Sequence, residues 1–317
     1  MTKTIISYNN STNHKGSITH YERPDRVNAT IRYLQQHLKS SLFLTHSTVT
    51  EDEKLLVMDM ISNVHSSEHV NKIFHTESEL YCTDIGYYNS DTFYTNDTPN
   101  VVIDAIFTLK CIIDNLFENK NRYGYALIRP PGHHCSNDPS GFCIVNNVMI
   151  AAKYCQSLGY ERVVIADWDF HASDGSEALI KSGDFPNIYL ASIHGYGELI
   201  YPGTGNVSSE QVLNIPIEVT IYQESRNYIT DDFYLYYFET ISKFISDINP
   251  DIIIISNGLD AHQNDPLEGM NLTSKFYVEA TQILKNFNKP LLYVLEGGYD
   301  IPAIKDVSHK IINELEK

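Results

Sequence analysis

The sequence has little of what marks a nucleic-acid-binding, disulfide-rich or membrane-inserted protein. Its 23 basic residues stand against 40 acidic ones, the net charge is −17 and the lysines and arginines form no cluster, which argues against a DNA or RNA surface. The five cysteines include no CxxC pair, which argues against a disulfide framework or a thiolate metal site. Apolar runs end after four or five residues, far short of the roughly 20 that a membrane-spanning helix needs.

The start of the chain, MTKTIISYNN, lacks the apolar core of a signal peptide. Together with the odd number of cysteines and the missing CxxC pair, this predicts a soluble, cytoplasmic protein in a reducing compartment. The acidic charge allows two interpretations. It keeps the protein soluble, or it attracts cationic partners such as amines, polyamines and lysine-rich peptides.

Short apolar runs alternate with amphipathic stretches, a pattern typical of a parallel sheet with helices on both faces. Runs such as DIIIIS (251–256) are apolar without alternation, as in strands buried on both sides. Nothing resembles a linker, so we expect a single domain over residues 1–317. The predicted strands are Thr4–Tyr8, Tyr123–Ile128, Arg162–Ala166, Asn187–Ser192, Asp251–Ser256 and Pro290–Leu295. The predicted helices lie near 26–38, 99–116, 144–157, 232–247, 273–286 and 303–316.

Five of the predicted strands run directly into polar residues. In open α/β sheets, ligands bind beyond the carboxyl ends of the strands. The sequence therefore predicts a functional site at this edge of the sheet. The segments are RPPGHH (129–134), DWDFH (167–171), IH (193–194), NGLD (257–260) and EGGY (296–299).

Asp169 and His171 follow one strand and Asp260 follows another. Residues two apart in an extended chain point the same way, so Asp169 and His171 can face one ion, and Asp167 shares their direction. Two carboxylates and one imidazole would leave zinc an open position, as catalytic sites require. The alternative is that these aspartates cap the helices that follow them.

The tandem His133–His134 follows two prolines and Gly132, which restrict the approach of the chain. An aspartate behind a histidine fixes its tautomer and raises its basicity, and Asp167 and Asp174 are available for this. The pattern indicates acid/base chemistry. The alternative is a pair of solvent-exposed loop histidines.

Aromatic residues lie on the same predicted loops. Tyr299, after two glycines, could donate a hydrogen bond to a developing oxyanion or could be a packed ring. Gly141–Phe142 and Tyr201 could flank a slim aliphatic chain or pack in the core. These residues are candidates for substrate contact.

Taken together, these motifs resemble the histone deacetylase superfamily, which includes acetylpolyamine amidohydrolases and acetoin-utilisation deacetylases. The resemblance runs from about His20 to Tyr299, and Trp168 with the ERPDR and DPLEG segments is most similar to the class II branch. Eight motifs carry it in order: HYERPDR (20–26), VHSSEHV (64–70), RPPGHH (129–134), GFCIVNN (141–147), DWDFHASDG (167–175), SIH with YPGTG (192–205), NGLDAHQNDPLEG (257–269) and LEGGY (295–299).

The resemblance implies a three-layer αβα, arginase-like fold with a mostly parallel eight-stranded sheet. It implies one catalytic Zn²⁺ on Asp169, His171 and Asp260, and a structural K⁺ near Asp167, Asp169, His171 and Ser192. The implied catalytic roles are His134 as base and acid backed by Asp174, His133 as an electrostatic group backed by Asp167, and Tyr299 as the carbonyl-polarising group. The implied substrate contacts are Gly141, Phe142, Tyr201, Leu267 and Gly297.

The resemblance favours a zinc-dependent amidohydrolase that removes acetyl or other short acyl groups from lysine side chains. The first alternative is an acetylpolyamine deacetylase, because Glu268 and the acidic net charge suit the second ammonium group of a polyamine. Against it, Leu267 stands where some polyamine-specific relatives carry Glu, which favours acyl-lysine. A non-catalytic acyl-lysine reader and an arginase-type manganese hydrolase are further alternatives. The chain departs from many members at Ala172–Ser173, where His-Gly is common, and at Tyr201, where Phe is usual.

Overall fold

The computed structural model describes residues 3–45, 48–74, 85–119, 121–222, 226–267 and 269–317, so Cys82 and Glu268 lie outside the described part. Ten strands and nine helices lie within these residues. The strands are β1 (Thr4–Tyr8), β2 (Leu42–Phe43), β3 (Gly86–Tyr87), β4 (Phe93–Tyr94), β5 (Tyr123–Leu127), β6 (Val163–Asp167), β7 (Ile188–Tyr196), β8 (Val212–Glu218), β9 (Ile252–Asn257) and β10 (Leu291–Leu295). The helices are α1 (Asp25–His37), α2 (Glu51–Ser62), α3 (Ser67–Phe74), α4 (Thr98–Glu118), α5 (Asn147–Ser157), α6 (Asp174–Lys181), α7 (Asp231–Ile248), α8 (Ser274–Lys285) and α9 (Ile301–Glu316).

Eight strands form one sheet in the order β2-β1-β5-β10-β9-β6-β7-β8. Every neighbouring pair in it is parallel, and β3 and β4 form a separate antiparallel pair. The prediction of an αβα fold with a mostly parallel eight-stranded sheet is therefore confirmed. Strands β5, β10, β9 and β6 are contiguous at the centre, which brings the chain segments that follow them together.

Each face of the sheet is covered by its own apolar core. Strand side chains alternate between the two: Ile6 and Val164 pack with the core under α1, α7, α8 and α9, whereas Ile5 and Ile165 pack with the core under α2, α4, α5 and α6. The central strands are buried over their whole length. Burial on both faces explains why their sequences are apolar without alternation.

All six predicted strands and all six predicted helices are present, with shifts at their ends. Strand β7 continues to Tyr196, so Ile193 and His194 lie inside it and not beyond its end as predicted. Helix α5 begins at Asn147 because the side chain of Asn146 accepts a hydrogen bond from the Met149 N–H and so caps it.

Several elements were not predicted, and their sequences show why. Strand β8 contains Pro216, which argues against a strand except at the edge of a sheet, where β8 lies. Helix α2 begins with a capping box between Thr50 and Glu53, so a sequence signal for its start is present although its apolar periodicity is weak. Strand β2 has only two residues. None of the helices within the described residues is long and apolar enough to cross a membrane.

Candidate metal centre and catalytic site

Three ligand-type side chains meet beyond the ends of β6 and β9. Nδ1 of His171 lies 3.1 Å from Oδ1 of Asp169 and 3.0 Å from Oδ2 of Asp260. The two carboxyl groups are fully buried and the imidazole is almost so. Ligand atoms of all three residues lie within 4.8 Å of one another. The structure thus brings together the three residues predicted as zinc ligands.

Backbone groups fix the direction of both carboxylates. Asp169 accepts hydrogen bonds from the His171 N–H (2.9 Å) and the Gly297 N–H (2.9 Å), and Asp260 accepts one from the Phe170 N–H (2.8 Å). Gly297 cannot carry a side chain here, because a Cβ would lie 2.5 Å from Asp169 Oδ2 and 2.7 Å from Asp260 Oδ2. This close approach is the physical reason for a glycine after β10.

The donor set fits a divalent cation. Burial and the neighbouring Asp169 carboxylate raise the pKa of Asp260, because two buried negative charges so close to each other repel. A dication between them would relieve that repulsion. Two carboxylates and an imidazole form an N/O ligand set of the kind found in catalytic zinc sites.

The tandem histidines lie on the loop after β5, and each contacts its own aspartate. Nδ1 of His133 lies 3.1 Å from Oδ2 of Asp167, and Nδ1 of His134 lies 2.6 Å from Oδ1 of Asp174. Both imidazoles are at least 95% buried. They are therefore not the exposed loop residues of the alternative interpretation, and they form the two His–Asp pairs that were predicted.

A residue that sequence reasoning missed holds this loop in place. Glu296, at the end of β10, is fully buried, and its Oε2 accepts hydrogen bonds from the N–H groups of Gly132 (2.5 Å) and His133 (3.1 Å). The available signal was the acid in EGGY, which we interpreted only for its glycines and tyrosine.

The two imidazoles have opposite electrostatic surroundings. Burial would lower the pKa of His133, but the carboxylates of Asp169 and Asp167 raise it to about 10. Burial lowers the pKa of His134, with the His133 charge acting in the same direction and Asp174 opposing. A cation among the same carboxylates would reduce the effect on His133.

These groups line a cavity of about 200 Å³. Tyr299 contributes a ring that is 8% exposed, and the Phe142 ring meets it edge-on at 5.9 Å. All five predicted substrate contacts line the cavity, together with Asp91 and Pro131, which were not predicted. The lining residues are Asp91, Pro131, His133, His134, Gly141, Phe142, Asp169, His171, Tyr201, Leu267, Gly297 and Tyr299.

Contacts within the cavity wall and just behind it hold the lining residues in place. Tyr201 packs edge-on against the His134 ring at 4.9 Å, and its hydroxyl lies 2.7 Å from Oγ of Ser140. Phe142 has a φ of 67°, in the left-handed region that is uncommon for a bulky residue, and its N–H donates to Thr92 Oγ1 (3.1 Å). The Tyr201 hydroxyl thus has a hydrogen-bonding partner in Ser140, next to the lining residue Gly141.

A buried ion network supports the Tyr299 ring from behind. The Arg26 guanidinium lies 4.8 Å from the ring centroid and donates to the Gly298 carbonyl (2.6 Å) and the Glu296 carbonyl. Glu22 pairs with both Arg26 and Arg129. Charged residues in the ERPDR and RPPGHH segments were the signal for this network, but sequence alone does not show that they are buried.

Of the residues predicted to hold potassium, Asp169 and His171 are also predicted zinc ligands, and Asp167 and Ser192 lie near them on β6 and β7. Asp167 and Ser192 are register partners on β6 and β7, and the Ser192 hydroxyl lies 2.8 Å from Nδ1 of His194. Asp167 Oδ1 accepts the Asp169 N–H at 2.9 Å. The potassium site stays a prediction.

The sequence model of the histone deacetylase domain family matches residues 20–315 of the chain. The chain belongs to the histone deacetylase family. Among curated relatives, it is 29% identical to histone deacetylase 15 of Arabidopsis thaliana, over 93% of this chain but only 52% of that protein, and thus spans about half of that relative's length. It is 28% identical to a probable deacetylase of Archaeoglobus fulgidus, over 94% of this chain and 81% of that protein.

The fold comparison agrees with the family match. The crystal structure of the HDA15 HD domain superposes with a TM-score of 0.85 and 28% identity, covering 99% of this chain and 90% of that one. Four of the motifs that carry the family resemblance follow the four central strands: RPPGHH, DWDFHASDG, NGLDAHQNDPLEG and LEGGY. Family membership, predicted from the motifs, is therefore confirmed.

Proposed function

We propose that this chain is a zinc-dependent amidohydrolase that removes acetyl or other short acyl groups from lysine side chains of proteins or peptides. The observation that carries the proposal is a cavity lined by two members of the buried Asp–His–Asp cluster, by both imidazoles of the His–Asp pairs and by Tyr299. A slim acyl-lysine side chain suits such a cavity. A non-catalytic reader would not require this combination of acid/base and ligand groups.

Asp169, His171 and Asp260 would hold the zinc. When bound, the ion supplies a Lewis acid that polarises the acyl carbonyl and activates water. His134 accepts a proton as water attacks the carbonyl carbon and then donates it to the amine nitrogen as the C–N bond breaks. Tyr299 donates a hydrogen bond to the oxygen on which negative charge develops. The products are a carboxylate and a free amine.

The histidine partners set the roles of the two imidazoles. Asp174, at the first turn of α6, orients His134 for proton transfer, because its hydrogen bond to Nδ1 directs Nε2 away. His133, next to Asp167 and 3.7 Å from Asp169, contributes positive charge near the reacting carbonyl. Burial raises the pKa of Tyr299 well above its usual value, so its hydroxyl is protonated and can donate.

One observation favours acetylpolyamines as a second candidate substrate. Asp91 lines the cavity and its carboxylate could pair with a second ammonium group of a polyamine. Leu267, on the same cavity, offers no such charge and favours the acyl-lysine. Comparing kcat/KM for an acetyl-lysine peptide and an acetylpolyamine tests the choice. We expect the peptide to be preferred; a clear preference for the acetylpolyamine would reassign the substrate.

The zinc assignment predicts the effect of Asp260→Ala on metal content. This variant should lose one equivalent of metal relative to the wild type, because it removes one ligand and leaves Asp169 and His171 alone at the site. Elemental analysis after dialysis against metal-free buffer measures the loss. Asp174→Ala is the matched control, since Asp174 contacts His134 and not the cluster, and it should keep its metal. Full metal retention by Asp260→Ala would contradict the assignment.

A further inference from the structure

A second group of ligand-type side chains lies behind the loop that carries His134. His65 and His69 come from the VHSSEHV segment at the start of α3, and Cys135 follows the tandem histidines directly. All three are buried, with exposed fractions of 4%, 1% and 0%. Their ligand atoms lie within 4.8 Å of one another. The cluster shares no residue with the Asp169–His171–Asp260 group.

The distances within the cluster match those of ligands on one small cation. Nε2 of His69 lies 3.6 Å from Sγ of Cys135. Zn–N bonds near 2.0 Å and Zn–S bonds near 2.3 Å at a tetrahedral angle give an N···S separation of about 3.5 Å. The Ile144 carbonyl oxygen lies 2.9 Å from the same Nε2 and 3.2 Å from the same Sγ. It is therefore close enough to serve as a further metal ligand.

We propose that His65, His69 and Cys135 form a second metal site, for Zn²⁺ or a cation of similar affinity for thiolate and imidazole. The proposal does not depend on the catalytic function. The missing CxxC pair does not exclude it, because the ligands come from a helix start and a separate loop. A Cys–His–His set belongs to the range of ligand types that zinc accepts.

When no cation is bound, His69 Nε2 and Cys135 Sγ carry protons that they donate to the Ile144 carbonyl, so metal and protons compete for these two atoms. Burial raises the pKa of the Cys135 thiol well above its usual value, and the cation must displace that proton. Burial lowers the pKa of His65 to about 3, so this imidazole is neutral, the form that binds metals. Its Nε2 accepts the Asn146 N–H at 2.9 Å, and binding exchanges that hydrogen bond for a bond to the cation.

A surface cavity borders one residue of the cluster. His69 lines a surface cavity of about 500 Å³ together with Ser66, Glu68, Asn71, Lys72, Asn137 and Asp138. The Lys72–Asp138 ion pair (2.8 Å) lies in the cavity wall. This cavity adjoins the cluster on a side away from the catalytic cavity, with which it shares no lining residue.

Cobalt substitution separates the two sites, because only the second one contains sulfur. The protein is loaded with Co²⁺ in the Asp260→Ala background, which lacks one ligand of the catalytic cluster. We expect a thiolate-to-cobalt charge-transfer band in the near ultraviolet. The band should disappear when Cys135→Ser is added and should remain when Cys111→Ser, the matched control at a half-buried cysteine, is added instead.

A second variant and a second readout keep the test decisive. His69→Gln should also remove the band, and it carries the test if Cys135→Ser does not fold. Added Zn²⁺ should raise the melting temperature of Asp260→Ala more than that of Asp260→Ala/His69→Gln, because a cation that binds only the folded state stabilises it. Absence of the band from Asp260→Ala, or its persistence in Cys135→Ser, would overturn the proposal. A wild-type protein that shows the band but no hydrolysis would instead contradict the proposed function.

Discussion

Tyr299→Phe is expected to lower kcat roughly 100- to 1,000-fold, the usual cost of removing one donor to an oxyanion. KM and metal content should stay near their wild-type values. The hydroxyl matters chiefly when the carbonyl oxygen carries negative charge, and an interaction made mainly in the transition state affects kcat rather than binding. Steady-state kinetics on an acetyl-lysine peptide, with elemental analysis of the same preparation, measures both effects.

The structure makes Phe a conservative replacement at this position. The ring is held by groups that do not use the hydroxyl: the Arg26 guanidinium at 4.8 Å, the Phe142 ring at 5.9 Å and a hydrogen bond from the Tyr299 N–H to Asp265 (2.7 Å). A loss of turnover would therefore report the missing donor and not a displaced ring.

Tyr21→Phe provides the matched control. The Tyr21 ring lies 6.3 Å from that of Tyr299 but is 43% exposed, and it should keep turnover within a fewfold of wild type. Turnover of Tyr299→Phe within a fewfold of wild type would contradict the assigned role. A rise in KM with unchanged kcat would also contradict the role. Such a change indicates that the hydroxyl stabilises the bound substrate and the transition state equally.

The site could be predicted from sequence largely because the fold is parallel. When strands are parallel and adjacent, their carboxyl ends share one edge, so residues that follow separate strands converge. Asp169 and Asp260 are far apart in the chain but follow β6 and β9, which are neighbours in the sheet. Short apolar runs such as IIIIS were enough to locate those strands. The full count of eight strands came from the family resemblance, since β2 and β8 lack that signal.

The groups that hold the site in place were much harder to predict. Glu296, Arg26 and Glu22 are charged residues with no sequence pattern that distinguishes a buried network from a solvated surface. Their burial depends on how α1 packs at the ends of the strands, a tertiary property. The cluster around Cys135 was missed for a related reason. His65 and His69 lie four residues apart in VHSSEHV, but their closeness to Cys135 follows from the approach of α3 to a loop.

The roles proposed for the two histidines differ, and substrates with different leaving groups should separate them. An alkylamine must be protonated as it leaves, whereas the phenolate of an acylated phenol leaves without a proton. His134 lies 2.6 Å from Asp174 and is proposed to move the proton. His133 lies between Asp167 and Asp169 and is proposed to act through its charge.

His134→Ala should therefore lower kcat/KM on an acetyl-lysine peptide roughly 100- to 10,000-fold, the range for loss of a general acid–base group. On the phenyl ester of the same acyl group its defect should shrink markedly, because protonation of the leaving group is no longer needed. His133→Ala should also lose activity, but with similar defects on both substrates, since developing oxyanion charge is common to them.

His37→Ala, at an exposed histidine on α1, is the control and should match wild type on both. Equal rescue of both variants by the ester, or rescue of His133→Ala alone, would show that the roles are assigned wrongly. The Asp174 pair and the Ala172–Ser173 segment behind it would then be the first places to seek the reason.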